Sequence, residues 1–435
     1  MRVILIGDVH GNLPALEAVL THGRALGAEA IWNLGDFIGY GPFPDEVVTR
    51  LRAEGAVSIA GNYDRKALDL GAGAQDWPKT PEKRLAFDWA YRKLSRSNRE
   101  YLRGLPAELR LEVEGRRILL VHACPGDLEP YLRPDLPAAR LAEIARAAEA
   151  DLVICGHSHT PFVFQAEGVW FVNPGSVGRQ DQGDWRAVYA LLRLEAGDIE
   201  VAHYTLDYDV KRAAAAVRRR RLPGAFADML AQGRDLDFVL RSRKIAAAQR
   251  LSDKLGLHDQ HARHTTTLAL QLFDQLASDH ALGAEERLWL QCGGLLHDIG
   301  WSEGQQGHHK TSLRLIQERE DLPFDERERL IIGCIARYHR RALPNLTHRE
   351  FARLKADERE LVSLLAGILR VCDGLDSNHL SLVAGVRAER NGDRLILWCQ
   401  AAGPMEDERR SGREKSDLLA QVLHCKIDIR PAEGT

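Results

Sequence analysis

Short apolar runs alternate with amphipathic stretches through the first half of the chain. Runs at 2–6, 30–34, 57–60, 117–121, 152–155, 169–172, 187–194 and 199–206 are rich in Val, Ile and Leu, which predicts strands. Stretches at 13–26, 45–54, 82–94 and 138–148 carry apolar residues at three- and four-residue intervals, which predicts helices. Such alternation predicts an α/β fold around a central sheet. Residues 206–233 hold an Ala/Arg-rich helical stretch, a Leu-Pro-Gly break and a second short helix. The texture changes past residue 238. Amphipathic helices follow one another at 262–278, 285–296, 311–319, 325–338 and 359–375, an all-α pattern. Runs at 385–390 and 394–399 flank "NGD", a hairpin signal, and a helix at 406–422 and a strand at 426–430 follow. The expected architecture is multidomain, α/β plus all-α, divided as 1–210, a helical tail or linker 211–240, a helical domain 241–380 and a small α+β extension 381–435.

Composition narrows the setting. The chain has 435 residues, 45% hydrophobic and 28% charged, with a net charge of -3, so no global field draws it to nucleic acid or an anionic membrane. Arg218 to Arg221 is read as a solvated helical face. The first apolar run stops at Asp8, too soon for a secretory signal, and no long uncharged apolar stretch follows, so the expectation is a cytoplasmic protein with no membrane partner. Seven cysteines without CxxC spacing fit a reducing compartment.

Candidate chemistry lies at the strand ends. Asp8 and His10 close the first run in "GDVHGN", Asp36 follows the second in "NLGDF", and Asn62 and Asp64 follow the third in "IAGNYD". His122 ends "LLVHA", and His157 and His159 end "VICGHSH". The C-terminal ends of strands in an open α/β sheet border the crevice where ligands bind. Mixed carboxylate, amide and imidazole donors suit divalent Mn, Fe, Ni, Co or Zn better than the all-oxygen sets of Ca or Mg. So many donors exceed the needs of one ion, which predicts two ions sharing a carboxylate.

In order, D-x-H, G-D, G-N-x-D, a strand-end His and G-H-x-H resemble the calcineurin-like metallophosphoesterases over residues 1 to about 235. The small bacterial phosphodiesterase branch also has "FVNPGSVG", here 171–178. The resemblance implies an α/β sandwich with one ion on Asp8, His10, Asp36 and His159 and a second on Asp36, Asn62, His122 and His157. It implies metal-assisted hydrolysis of phosphoesters, in which ions activate water and offset charge on the phosphoryl oxygens. Two departures stand out. Where many members have His after the Asn, to protonate the leaving oxygen, this chain has Tyr63, so leaving groups needing little protonation are expected. Where the family has an arginine, this chain has Asp181 in "GRQDQGD", so phosphate gripping falls to Arg179, Arg65 or Arg186.

A second constellation lies in the helical half. "GGLLHDIG" sets His297 beside Asp298; residues adjacent on a helix point about 100° apart, so both reach one ion only near a helix end, which Gly300 supplies. His261, His309, His339 and Asp373 lie on other predicted helices of the same bundle, where polar residues at inward positions are costly unless they bind something. The remaining nine histidines, His258 and His308 among them, fit no ligand pattern, although His308 could replace its neighbour His309. The set resembles the HD superfamily of metal-dependent phosphohydrolases. More narrowly, residues 240–435 are similar to the C-terminal HD-type domain of exopolyphosphatase and guanosine pentaphosphate phosphohydrolase proteins, through "ALQLFDQL", "LLHDIG", "ARYHRRALP" and "GILRVCDGLD". The resemblance implies His261, His297, Asp298 and Asp373 on one metal, with His309 and His339 completing a second. Lys310, Arg340, Arg341 and Arg370 are the candidate phosphate contacts.

The expected function is a metal-dependent phosphohydrolase with two ions in the first site and one or two in the second. Asp8, His10, Asp36, Asn62, Tyr63, His122, His297 and Asp298 are its catalytic candidates. Its substrate is a phosphoester of a nucleotide or nucleic-acid end, opened from diester to monoester in the first site and cleaved in the second. The alternative is that only the first site is catalytic, while the helical module binds a signalling nucleotide or mediates oligomer assembly. A third reading, an RNA-binding scaffold with inert sites, rests on the arginine run alone. Loops such as 70–80 and 129–136 are expected to set substrate choice.

Overall fold

The structure is a computed structural model that describes residues 1–74, 80–195, 198–255 and 259–432. Of the positions singled out above, His258 and residues 75–79 of the 70–80 loop lie outside them. The chain forms two compact units, Met1–Val239 and Leu240–Thr435.

The first unit is built on two five-stranded sheets. One comprises β1 (Arg2–Ile6), β2 (Ala30–Asn33), β3 (Val57–Ser58), β9 (Ala187–Glu195) and β10 (Asp198–Leu206), ordered β10-β9-β1-β2-β3. The other comprises β4 (Glu108–Val113), β5 (Arg116–Val121), β6 (Leu152–Ile154), β7 (Phe162–Ala166) and β8 (Val169–Asn173), ordered β4-β5-β6-β8-β7. Period-two alternation explains why both bury two faces. Val3, Leu5 and Trp32 of the first sheet meet Ile118, Leu120, Leu152 and Ile154 of the second. The intervening Ile4 and Ile6 face the helices Leu13–Ala25 and Pro44–Ala53, and Leu119 and Val153 face Ala138–Ala148. Burying each of these large side chains stabilises the sandwich by roughly 1.5–3 kcal/mol.

Differences from the sequence reading have local causes. β4 and β7 were not expected, because their strictly half-buried alternation, as in "ELRLEV", lacks a continuous apolar run. The strand expected at 57–60 shortens to two residues, since the amide of Ala60 turns to the carbonyl of Pro106. Helices Asn62–Gly71 and Arg96–Gly104 were also not expected. Residues 211–239 fold onto the first unit: Arg212 pairs with Glu17, and Arg220 pairs with Glu46 and lies 5.0 Å over the Phe43 ring. That packing occupies one arginine of the basic run.

In the second unit, helices Asp259–Gln275, Ala284–Leu296, His308–Glu318, Glu326–Arg337 and Ala356–Gly374 surround one core. β11 (Val383–Asn391), β12 (Arg394–Ala401) and β13 (Lys426–Pro431) form a sheet in that order. Gln271 and Gln275 hydrogen-bond the backbone of Val386 and Ala388, which satisfies the open edge of β11. The helix expected at 406–422 breaks into Glu406–Glu414 and Asp417–Val422, with Lys415 at the end of the first piece.

Candidate metal centres

In the first unit the candidate donors stand on the turns that follow β1, β2, β3, β5 and β6, where parallel strands end on one side of the sandwich. Asp8, His10, Asp36, His157 and His159 all have left-handed backbones, with φ of 56°, 47°, 53°, 64° and 56°. A non-glycine residue pays roughly 1–2 kcal/mol for that conformation, so the surroundings must hold it. The amide of Asp8 donates to the carbonyl of Gly35, that of His10 to the carbonyl of Asp36, and that of His157 to Asp8 Oδ2. Asp64 is the main clamp rather than a ligand. Its carboxylate accepts from the amides of Asp36 (2.9 Å), Gly61 (3.0 Å) and Ile38 (3.3 Å), and burial, then the nearby Asp36, pushes its pKa up to about 7.

Asp8, His10 and His159 form one donor cluster, and Asp8, Asp36 and His122 an adjoining one. Asp36 Oδ2 lies 3.8 Å from His10 Nε2 and 3.6 Å from His122 Nε2, while its Oδ1 accepts from the Tyr63 amide at 2.8 Å. Its free oxygen is thus aimed between two imidazoles. His122 Nε2 is 3.2 Å from Asn62 Oδ1. The ring orientations are consistent with donation inward. His122 Nδ1 bonds the carbonyl of Leu34 at 2.7 Å and His10 Nδ1 that of Ile38 at 3.3 Å, which leaves both Nε2 lone pairs facing the cluster. His157 is reversed: its Nε2 bonds the carbonyl of Glu129 at 3.0 Å, and its ring stacks on Tyr131. It stands beside His122, with ring centroids 5.1 Å apart, and lies outside both donor clusters.

The donor set fits divalent cations. Asp8 Oδ1 is buried with no hydrogen-bond partner among the described residues, and His10 Nε2 faces His159 Nε2 at 3.2 Å. Burial, then the charge of Asp8, pushes the Asp36 carboxyl well above its usual range. Two buried carboxylates among inward lone pairs are costly alone and favourable around cations.

Sequence reasoning named Asp181, Arg179 and Tyr63 but missed that Asp181 stands behind a donor and ties Arg179 to it. Asp181 Oδ2 lies 2.8 Å from His159 Nδ1, and Asp181 Oδ1 lies 3.3 Å from Arg179 Nε. Burial opposes the charge on His159, but Asp8 and Asp181 outweigh it and raise its pKa to about 10. Arg179 donates to the Tyr63 hydroxyl at 2.9 Å and lies 5.2 Å over the Tyr40 ring. Among the three candidate phosphate-gripping arginines, Arg179 reaches this group. Arg65 donates to the carbonyl of Leu105, and the exposed Arg186 pairs with Asp184.

The second unit gathers His261, His297, Asp298, His339 and Asp373, with donor groups His261–His297–Asp373 and His297–Asp298–His339. Asp298 straddles them. Its Oδ2 faces His297 Nε2 (3.4 Å) and His261 Nε2 (4.0 Å), and its Oδ1 faces His308 Nε2 (3.2 Å) and His339 Nε2 (3.6 Å). Three imidazoles bond a carbonyl through Nδ1: His297 to Gly294, His339 to Ala336 and His308 to Gln305. His261 Nδ1 instead meets Asp376 Oδ2 at 2.8 Å. All four Nε2 atoms therefore point inward, and His297 Nε2 and Asp298 Oδ1 have no hydrogen-bond partner among the described residues. This set also fits a cation, and Asp298 presents one carboxylate oxygen to each side of it.

Between the two neighbouring histidines left open for one ligand position, the geometry favours His308. His308, not His309, faces Asp298; His309 is half-buried among Arg340, Lys310 and Arg337. A Cβ on Gly300 would lie 2.1 Å from the carbonyl of His308, so the missing side chain lets that turn close on the cluster. Arg370, a candidate phosphate contact, is buried and bonds Asp417 and the carbonyls of Tyr338 and Arg341. Arg340 Nη1 stands 3.5 Å from His308 Nε2, and Lys310 is exposed.

Comparison with known proteins agrees with both halves. Residues 1–197 match the calcineurin-like phosphoesterase superfamily domain, and residues 243–381 match domain III of the Ppx/GppA phosphatases. The chain is 30% identical over 249 residues to an uncharacterized protein of Methanocaldococcus jannaschii, covering 53% of this chain and 98% of the relative. It is 26% identical over 202 residues to the phosphodiesterase YfcE of Escherichia coli, covering 44% of this chain and 87% of that protein. Among solved structures, a metallophosphoesterase from Sphaerobacter thermophilus has 29% identity, covers 54% of this chain and 99% of its own, and gives a TM-score of 0.46.

Proposed function

The chain belongs to the calcineurin-like phosphoesterase superfamily through its residues 1–197, joined to a Ppx/GppA-type domain III, and from that premise we propose two metal centres acting on phosphoesters. It is a metal-dependent phosphoric ester hydrolase. The finer reading is that the first centre takes two ions from Mn, Fe, Ni, Co and Zn, on Asp8, His10, Asp36, Asn62, His122 and His159, with His157, turned to the Glu129 carbonyl beside His122, as a further donor only if its ring reorients. The second takes one or two on His261, His297, Asp298, His308, His339 and Asp373. The observation that carries this is the pair of carboxylates, Asp36 and Asp298, each set among inward-facing imidazole nitrogens.

Bound ions would supply an activated water and positive charge at the phosphoryl oxygens. The chain's own residues do the rest. Asp181 and the carbonyls of Leu34 and Ile38 orient the imidazoles. Arg179, held by Asp181 and the Tyr63 hydroxyl, is placed to grip a phosphate oxygen. Because the Tyr63 oxygen already accepts from Arg179, its own proton is available to the leaving oxygen. A phenol is a weaker proton donor than the imidazole it stands in for, so aryl, pyrophosphoryl and cyclic esters are the preferred substrates. The substrate class proposed is a nucleotide or nucleic-acid end, with the diester opened at the first centre and the monoester cleaved at the second.

The test is elemental analysis of the parent, Asp36→Ala and His297→Ala/Asp298→Ala chains, each assayed on bis-p-nitrophenyl phosphate and p-nitrophenyl phosphate. Separate loss of metal and of one activity from each variant supports two enzymes. A cyclic nucleotide should then stop at the monoester in the double variant. If that variant keeps its monoesterase activity but loses metal, the helical unit binds or senses instead of hydrolysing.

A further inference from the structure

We propose that Lys415, outside the matched domain and carried by the C-terminal extension, is the anion-binding residue of the second metal centre and contacts a phosphoryl oxygen of its substrate; this rests on reading that cluster as a metal centre. The helix Ala356–Gly374 ends at Asp373 and Gly374, and a Cβ on Gly374 would lie 2.7 Å from Gly412 Cα. That close approach lets the helix Glu406–Glu414 lie against the cluster. The helix stops at Lys415, whose Nζ sits 2.5 Å from Asp373 Oδ2.

Asp373 divides its oxygens. Oδ1 faces His261 Nε2 at 3.1 Å and His297 Nε2 at 3.8 Å, so the ammonium takes the oxygen that the donor cluster does not use. Lys415 therefore occupies no ligand position. Its charge repels a cation held by Asp373 and attracts an anion bound to that cation. An ammonium has three protons, and Asp373 is its one partner here among the described residues. The Lys415 side chain is 26% exposed against 9% for Asp373, so it is reached by solvent while its partner is not. At the other end of the cluster, Arg340 Nη1 stands beside His308 Nε2. A phosphoryl group on the centre would thus meet a cationic side chain at each end.

The experiment uses the full-length chain carrying Asp36→Asn, which silences the first centre. Manganese uptake by elemental analysis and inorganic phosphate affinity by calorimetry are compared for Lys415, Lys415→Met, Lys415→Gln, Lys415→Arg and His297→Ala. Losing one charge-assisted hydrogen bond should raise the phosphate Kd by roughly 10-fold or more in the Met and Gln variants. Manganese should bind as well as before or more tightly, and Lys415→Arg should recover most of the phosphate affinity. Unchanged phosphate affinity in a folded Met or Gln variant refutes the proposal. Parallel loss of manganese also overturns it, since Lys415 would then act only by holding Asp373. If the Lys415 chain takes up no more manganese than the His297→Ala chain, the metal reading itself fails, and the proposal with it.

Discussion

Replacing Asp181 by Asn should weaken metal binding at the first centre in a pH-dependent way. The carboxylate lies 2.8 Å from His159 Nδ1 and helps raise that imidazole to a pKa of about 10. An ion needs the neutral ring, so protons compete with it. At pH 7 a group of pKa about 10 is neutral in about one molecule in 10³, which costs about 4 kcal/mol of apparent affinity. Asp181 makes His159 a better base toward both proton and metal. Its loss should lower intrinsic metal affinity by about 10- to 100-fold, the usual cost of removing a carboxylate behind a ligating histidine. It also relieves the proton competition. The relief is largest at low pH, so the deficit is smallest at pH 6.5 and opens as pH rises toward 9. The assay is competition between the protein and a fluorescent chelator for manganese, from pH 6.5 to 9, with His297→Ala/Asp298→Ala silencing the second centre in both chains. An equal deficit at every pH would refute the reasoning and assign Asp181 to holding Arg179.

Other outcomes follow from the same geometry. Tyr63→Phe should slow hydrolysis of alkyl diesters more than of p-nitrophenyl diesters, and Tyr63→His should raise activity on the alkyl esters; equal effects on both classes would remove Tyr63 from leaving-group protonation. Gly61→Ala should strip the first centre of metal without touching a ligand, because the new Cβ would lie 2.1 Å from Asp36 Oδ1; full metal content in the folded variant would count against that packing. The metal-free protein should lose stability as pH rises. His159 (about 10) and His261 (about 9, where burial opposes the charge but Asp373 and Asp376 outweigh it) are raised above 6.5, so their contribution is complete below 6.5 and is lost as pH climbs through 9 and 10. Melting of the chelator-treated chain across that range checks this, and a flat profile would contradict it.

Much of this was legible in residue order. Strand ends bearing Asp, His and Asn are visible because a strand's apolar run stops abruptly, and the C-terminal ends of parallel strands share one side of a sheet. Likewise, His297 and Asp298 read as a pair because Gly300 announces the end of their helix. Even β4 was written in its alternation of Leu109, Leu111 and Val113 with charged neighbours, although a reading that sought continuous apolar runs passed over it. These are local signals, set by periodicity and by turns within a few residues.

What the tertiary structure decided are choices between neighbours and meetings between distant segments. His308 and His309 are adjacent, and only the folded turn, packed against Gly300, shows that it is the His308 imidazole that faces Asp298. Asp181 meets His159, Arg179 meets Tyr63, and Lys415 meets Asp373 across 22, 116 and 42 positions. Sequence alone determined which residues have the chemistry to bind a metal, because donor type and strand or helix period are properties of short segments. Which donors converge, and which charges stand behind them, was decided by packing, because a few ångströms separate a ligand from a bystander and no local period specifies that distance.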